Sequence, residues 1–211
     1  QWIYEKKVFN IYDMTNLGKD LREDLAYKIL ILPPSLVKQE TSKDGTRKFL
    51  WQLQDGQRIE SVLLSHGNHN TACISSQVGC PLACAFCATG KGGFVRNLTP
   101  GEIVGQFLAM EKAAGQNITN IVFMGMGEPL LNQEALFKSI KILNHPKMRG
   151  LGARHMTIST AGIVPGIRAL AELEIPVRLS VSLHGTNDML RNKLMPINQQ
   201  YPLGSLMDVL R

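Results

Sequence analysis

From residue 71 onward, apolar and polar positions fall into two alternating rhythms. Period-2 alternation marks strands at Thr71–Gln77, Asn120–Met126, Arg154–Thr160 and Pro176–His184. In the fourth run Val177, Leu179, Val181 and Leu183 share one face, and Arg178, Ser180, Ser182 and His184 the other. Between the strands the spacing becomes helical. Thr99-Pro100-Gly101-Glu102 supplies an N-cap, a first-turn Pro and a Glu three residues after the cap, and Ile103, Phe107 and Met110 then share one face. Further helices are predicted over Asn132–Asn144, within Pro165–Leu173, and from Leu203 to Arg211. Four successive βα units imply a parallel sheet with right-handed crossovers. A doubly wound sheet would be apolar on both faces, whereas one polar face per strand fits a barrel or half-barrel with a wet interior. The predicted class is α/β, a partial (βα) barrel. Chemistry in such barrels gathers at the C-terminal strand ends. Ser159, Ser182, His184, the Gly125–Glu128 turn and the cysteine-bearing loop after residue 77 all lie there.

The chain ahead of residue 71 follows other rules. Short helices are predicted over Phe9–Met14 and Leu17–Leu32, the second with Leu21, Leu25 and Ile29 at helical spacing, until Pro33-Pro34 ends it. Strand-like runs at Arg47–Leu53 and Arg58–Leu64 flank Asp55-Gly56, a hairpin signal, and residues 66–70 read as a loop. The expected organisation is a helical accessory domain over 1–40, a β-hairpin linker over 41–70 and a core over 71–211. Trp2-Ile3-Tyr4 reads as the middle of a helix, so a chain trimmed at its start is expected.

Composition narrows the class without naming a chemistry. The chain has 211 residues, 44% hydrophobic and 19% charged, which suits a globular domain. No apolar run approaches the ~20 residues of a membrane span, and no secretory signal pattern opens the chain. The net charge of +6 suits contact with nucleic-acid phosphates, and equally suits simple solubility.

All four cysteines fall between residues 73 and 87. A disulfide framework would spread them out, so the clustering points to metal chemistry in a reducing compartment. Cys80-Pro-Leu-Ala-Cys84-Ala-Phe-Cys87 can hold three corners of a 4Fe-4S cluster and leave one iron open to a ligand. Zinc with His66 or His69 as a further ligand, or unliganded thiols, are the other readings. Cys73 reads by itself as a small buried hydrophobe, and Glu60 as a solvent-facing strand charge. The Gly125-Met-Gly-Glu128 turn lets backbone approach a ligand closely, but it is no dinucleotide fingerprint, because the third Gly would fall at Leu130.

The CxxxCxxC spacing with Phe86 before the last Cys resembles the radical S-adenosylmethionine (SAM) superfamily. The flanking segments resemble its RlmN/Cfr family more narrowly: Cys73–Cys80, Ala88–Phe94, Arg96–Thr99, Asn120–Asn132, Ser159–Gly162, Ser182–His184 and Pro196–Asn198. The resemblance implies a cluster on Cys80, Cys84 and Cys87, with SAM chelating the open iron and being cleaved to a 5′-deoxyadenosyl radical. It implies SAM contacts from Gly127, Glu128, Ser159, Ser182, Leu183 and His184, and a proton-accepting role for Glu60. It pairs Cys73 transiently, as a disulfide, with a methyl-carrying Cys near the C-terminus. It further implies methylation at C2 of adenosine in 23S rRNA and tRNA, an electron donor such as a flavodoxin, a monomer, and a cytoplasmic or bacterial-like organelle setting. Lys91, Arg96, Arg149, Arg154 and Arg178 are candidate RNA contacts. No Cys follows Cys87. The expectation is therefore a core cut after about four βα units that cannot methylate by itself. The C8-directed branch of the family, another radical SAM enzyme, and a metal-stabilised non-catalytic RNA-binding module are the alternatives.

Overall fold

The computed structural model describes residues 1–211 apart from Leu30 and Asn68, and describes His66 without its side chain. Seven strands form one sheet, in the order β1 (Ser35–Thr41), β2 (Arg47–Gln52), β3 (Arg58–His66), β4 (His69–Cys73), β7 (Asn120–Phe123), β8 (Met156–Thr160) and β9 (Arg178–Val181). β1 to β4 pair antiparallel, and β4, β7, β8 and β9 pair parallel. A separate two-stranded ribbon joins β5 (Gln77–Gly79) to β6 (Phe94–Asn97). The four parallel strands are the predicted partial barrel. The Asp55-Gly56 hairpin forms as predicted, and it continues the barrel sheet rather than standing apart from it.

The helices follow their caps. α3 (Pro100–Ala114) begins at Thr99, whose side chain accepts from the Glu102 amide while Glu102 accepts from the Thr99 amide, and it ends at Gly115 in the left-handed conformation. α4 (Gln133–Asn144) and α5 (Val164–Ala171) pack into the same hydrophobic core. Their apolar stripes close the core: Ile103, Phe107, Met110, Leu136, Ile140 and Leu143 are fully buried against Ile121, Phe123, Met156 and Ile158. Each such side chain contributes about 1.5–3 kcal/mol by leaving water. The alternation expected for β8 is present, with Met156, Ile158 and Thr160 buried and Thr157 and Ser159 half-exposed on the barrel interior.

Several boundaries differ from the sequence expectation. The first predicted strand stops at Cys73, because residues 77–79 leave the sheet to pair with β6. Much of the predicted 66–70 loop is strand, since β3 reaches His66 and β4 starts at His69; Asn68 of that loop lies outside the described residues. Among the described residues of the N-terminal segment the helical elements are a 3₁₀ turn (Ile11–Asp13) and α1 (Lys19–Lys28), and Leu30 of the longer predicted helix lies outside the described residues. α2 (Ala88–Lys91), α6 (Asp188–Leu194) and strand β1 were not expected. For α6, Asn187 is the N-cap, accepting from the Leu190 amide, but seven residues carry too little periodicity to stand out.

A buried ion cluster fastens the N-terminal segment to the core. Glu111 of α3, 3% exposed, receives Arg149 at 2.6 Å, Lys7 at 3.0 Å and the Ile118 amide at 2.8 Å. Arg149 also lies over the Phe107 ring.

Candidate active site: a cysteine cavity at the strand ends

The cysteine loop leaves β5 through a position that only glycine fits. Gly79 has φ +76°, and a Cβ there would lie 2.0 Å from the Gly93 carbonyl oxygen. The Cys80 amide donates to that same carbonyl at 2.9 Å. The loop then turns through Ala83 in the left-handed region, and Cys87 caps the short helix α2 (Ala88–Lys91). The Cys87 amide donates to the Cys84 carbonyl at 3.0 Å, and the Ala85 amide to the Leu194 carbonyl of α6 at 2.9 Å. These contacts gather Cys80, Cys84 and Cys87 on one cavity of about 290 Å³, near the lower end of ligand-pocket sizes.

The opposite walls come from the strand ends. Met124, Gly125, Gly127 and Glu128 follow β7, Ser159 to Ala161 end β8, and Ser182 and His184 follow β9. The Ser159 and Ser182 hydroxyls lie 3.5 Å apart. His184, at φ +51°, sits in a three-residue turn closed by the Gly185 amide on the Leu183 carbonyl at 2.7 Å. Its ring lies 4.4 Å from that of Phe86 in the cysteine loop. A non-glycine residue in this conformation costs free energy and is held only by its surroundings.

The Gly-Met-Gly-Glu turn is pinned from below. Gly127 has φ +101°, and a Cβ would meet the Gln77 side chain at 2.5 Å. The Gln77 side chain, itself buried, accepts from the Glu128 amide at 2.8 Å and donates to Asn97 at 2.7 Å. The Glu128 carboxylate is 4% exposed and accepts from the Leu130 amide (3.1 Å) and the Ala161 amide (2.7 Å). Burial pushes its carboxyl above the ordinary value, against the lowering effect of these bonds. Its oxygens brace two strand ends together while its side chain lines the cavity.

The structure therefore brings together Cys80, Cys84, Cys87, Gly127, Glu128, Ser159, Ser182 and His184. Three predicted site residues stand outside the cavity lining. Leu183 is 37% exposed and contributes its carbonyl to the neighbouring Arg191. Cys73 ends β4 with its thiol raised by burial. Glu60 directs its carboxylate outward to Lys48 at 3.2 Å, while its backbone carbonyl accepts from Ser75, whose hydroxyl also accepts from the Met126 amide. Glu60 thus sits beside the Gly125–Glu128 turn but in a separate depression with Lys38, Glu40 and Lys48. All four cysteines are free, which corrects the disulfide expected for Cys73; the sequence holds no cysteine outside 73–87 to pair with it.

Two of the basic residues considered for RNA are committed elsewhere. Arg96 makes a two-pronged bond to Glu102 and a third to Asp55, and Arg149 is locked on Glu111. Arg154 and Arg178 are exposed but lie at the N-terminal ends of β8 and β9, away from the cavity, which leaves Lys91 beside the cysteine loop. Sequence reading missed Gln77, Thr160, Met195 and above all Arg191, which is wholly buried behind the cavity wall.

A profile of the radical SAM superfamily matches residues 74–211. The chain belongs to the radical SAM superfamily. A second profile, described as the ribosomal RNA large subunit methyltransferase N-terminal domain, matches residues 1–31. A protein of Petrotoga mobilis named as a probable dual-specificity RNA methyltransferase RlmN is 51% identical over the whole chain. A protein of the same name from Geobacillus kaustophilus is 46% identical. A radical SAM methyltransferase crystal structure from Sphaerobacter thermophilus superposes over the whole chain with a TM-score of 0.94 at 44% identity. The chain spans 61%, 59% and 63% of the lengths of these three proteins.

With the family come its cofactors, a 4Fe-4S cluster and SAM. The donor set fits. Among the described residues no three His, Cys, Asp or Glu side chains gather as a single metal ion requires. A cubane asks for something different, since each thiolate binds its own iron. His69 begins β4, whereas the cysteine loop follows beyond that strand's other end; the His66 side chain proposed as a zinc ligand lies outside the described residues.

Two of the loop thiols, Cys80 and Cys84, hold their protons tightly. Burial pushes Cys80 up to about 11, with repulsion from Glu128, Cys84 and Cys87 adding to it, and burial likewise raises Cys84. Cluster assembly must displace these protons, so it weakens as pH falls. Each thiol that deprotonates on binding contributes up to about tenfold per pH unit below its pKa. Reconstitution monitored by visible absorption is expected to be more complete at pH 8.5 than at about pH 7; equal loading at both would contradict the buried-thiol picture.

Proposed function

We propose that this chain is the cluster- and SAM-binding part of an RNA methyltransferase that places a methyl group on C2 of adenosine in 23S rRNA and tRNA, through a methyl-cysteine carried elsewhere in the protein. The observation that carries the reading is the single cavity in which three cysteines face the Gly-Met-Gly-Glu turn and the Ser159–Ser182–His184 wall. Relatives named as dual-specificity RNA methyltransferases support the substrate class.

Cys80, Cys84 and Cys87 would hold the cluster at one wall of the cavity. The bound cluster and SAM supply a carbon-centred radical that abstracts hydrogen. The protein's task is to hold and shield. Gly127 lets its peptide approach the ligand where a side chain would collide with Gln77. Glu128, held by the Leu130 and Ala161 amides, fixes the spacing of two strand ends and offers its buried acceptor to an ammonium group. Ser159 and Ser182 present hydroxyls to a polar ligand, and the Phe86–His184 pair offers rings against which a base can pack. The adenosine must leave its stack to enter. Glu60, beside the Gly125–Glu128 turn, accepts the proton released at the methylated carbon after swinging from Lys48. An electron donor such as a flavodoxin, a monomeric state and a reducing cytoplasmic setting complete the reading.

The test uses the full-length protein with reconstituted cluster, SAM, a low-potential reductant, and 23S rRNA fragments or tRNA. Nucleoside mass spectrometry is expected to find 2-methyladenosine together with 5′-deoxyadenosine. An 8-methyl product would assign the chain to the C8-directed branch, and no 5′-deoxyadenosine at all would refute the enzyme reading. Glu60→Gln is expected to keep cluster content and SAM cleavage while lowering methyl transfer by about 10²-fold, the low end for a general base. Unchanged methylation in this variant would remove Glu60 from the mechanism.

A further inference from the structure

Arg191 is the most unusual charge in the molecule. Its side chain is wholly buried, among the largest buried side chains of the protein. Buried guanidinium groups ordinarily meet a carboxylate. This one does not: Nε donates to the Leu183 carbonyl at 3.1 Å, and its two terminal nitrogens donate to the Ala161 carbonyl and the Asn198 side-chain oxygen. All three acceptors are neutral. The remaining charges nearby are Asp188, reached only through Asn198, whose amide donates to it at 2.8 Å, and Glu128, which accepts from the Ala161 amide. The positive charge is therefore satisfied in hydrogen bonds and left without a direct counter-ion.

Its location gives that charge a use. Ala161 and Met195 both line the cysteine cavity. Arg191 donates to the first and receives the amide of the second on its carbonyl at 2.7 Å, while the adjacent Leu194 carbonyl holds the Ala85 amide of the cysteine loop. The guanidinium thus sits one residue behind the wall, tied to the β8 end, the β9 end and Asn198, while the last turn of its own helix holds the loop between Cys84 and Cys87.

We propose that Arg191 is a positioning and charge-tuning residue whose buried guanidinium favours the reduced state of the cluster held by Cys80, Cys84 and Cys87. The inference rests on the cluster reading of that site. A cluster with three thiolate ligands is already anionic, and the electron it takes from a low-potential one-electron donor adds a further negative charge. A fixed positive charge in a poorly screened interior stabilises the more negative state more. It makes the electron easier to deliver without touching SAM or RNA.

The test is a redox titration, followed by EPR, of the reconstituted full-length protein and its variants. Arg191→Gln removes the charge, and Arg191→Lys keeps it while losing the three-way fork. Glutamine is expected to favour the oxidised state about tenfold more than wild type, a potential lower by about 59 mV. Lysine is expected to stay near the wild-type potential even though it loses thermal stability. A role confined to folding would move melting temperature in both variants and potential in neither, and that result overturns the proposal. Asn198→Asp combined with Asp188→Asn supplies a second arm: the exchange moves the carboxylate onto the guanidinium and keeps a donor–acceptor pair between positions 188 and 198, so it is expected to lower the potential as Gln does. Should R191Q fail to load cluster, an N198D/D188N protein that loads fully and titrates as wild type overturns the proposal. Wild-type protein that takes up no iron–sulfur chromophore would refute the cluster reading instead.

Discussion

Replacing Cys80, Cys84 or Cys87 with Ala is expected to abolish the iron–sulfur chromophore and SAM cleavage while leaving the apo fold intact. The three thiols share one cavity, and two corners cannot hold a cubane that the fold presents on three. The loop that carries them does not depend on the thiols for its shape. It is set by the Gly93 carbonyl on the Cys80 amide, the Cys84 carbonyl on the Cys87 amide and the Leu194 carbonyl on the Ala85 amide. Removing a sulfur therefore costs little packing, on the order of 1–2 kcal/mol for a small buried hydrophobe. Iron and sulfide analysis after anaerobic reconstitution checks the first half of this expectation, and thermal melting of the apo proteins checks the second. A C84A protein that binds iron as wild type does would move the cluster away from this loop. Cys73→Ala makes the control: it stands outside the cavity lining and is expected to load normally.

Glu111→Ala is expected to give the largest loss of stability of any single change away from the site. The carboxylate is 3% exposed and anchors Arg149, Lys7 and the Ile118 amide at once. Its removal leaves the mostly buried Arg149 and Lys7 with no anionic partner, a situation that costs about 3–5 kcal/mol. At about 2–4 °C per kcal/mol for a chain of this size, melting should fall by roughly 10 °C. The N-terminal segment should loosen first, because Lys7 is its charged link to α3, and protease cleavage ahead of residue 19 reports that directly. Glu111→Gln keeps the acceptor for the Ile118 amide, so it should lose less than Ala. An E111A protein melting with wild type would show that this ion cluster is a bystander.

Much of the site was legible in the sequence because it depends on short-range order. The CxxxCxxC spacing, the Thr99 capping box and the glycines of the Gly125–Glu128 turn each act within a few residues, so their chemistry can be read without the fold. The alternation in β8 and β9 likewise announced one polar face per strand, and with it a wet barrel interior at Ser159 and Ser182. Strand β1 was missed although Asp44-Gly45 sits between it and β2, because Ser35–Thr41 is exposed along its whole length and carries no burial pattern. Glu60 shows a different limit. Its place in β3 was foreseen, but whether a strand carboxylate faces a ligand or a lysine depends on Lys48 across the sheet.

The sequence by itself determined the chemistry of the loop and the class of the fold, since both follow from spacing and period. Only the tertiary structure decided which charges are free to act. Arg96 and Arg149 look like RNA contacts in one dimension and are spent on Glu102 and Glu111 in three, whereas Arg191 carried no local signal and proved to be the charge behind the cavity wall. The physical reason is that a long cationic side chain also takes partners tens of residues away, Asp55 at 41 for Arg96, Glu111 at 38 for Arg149 and Ala161 at 30 for Arg191, and such pairings are set by packing rather than by neighbours in the chain.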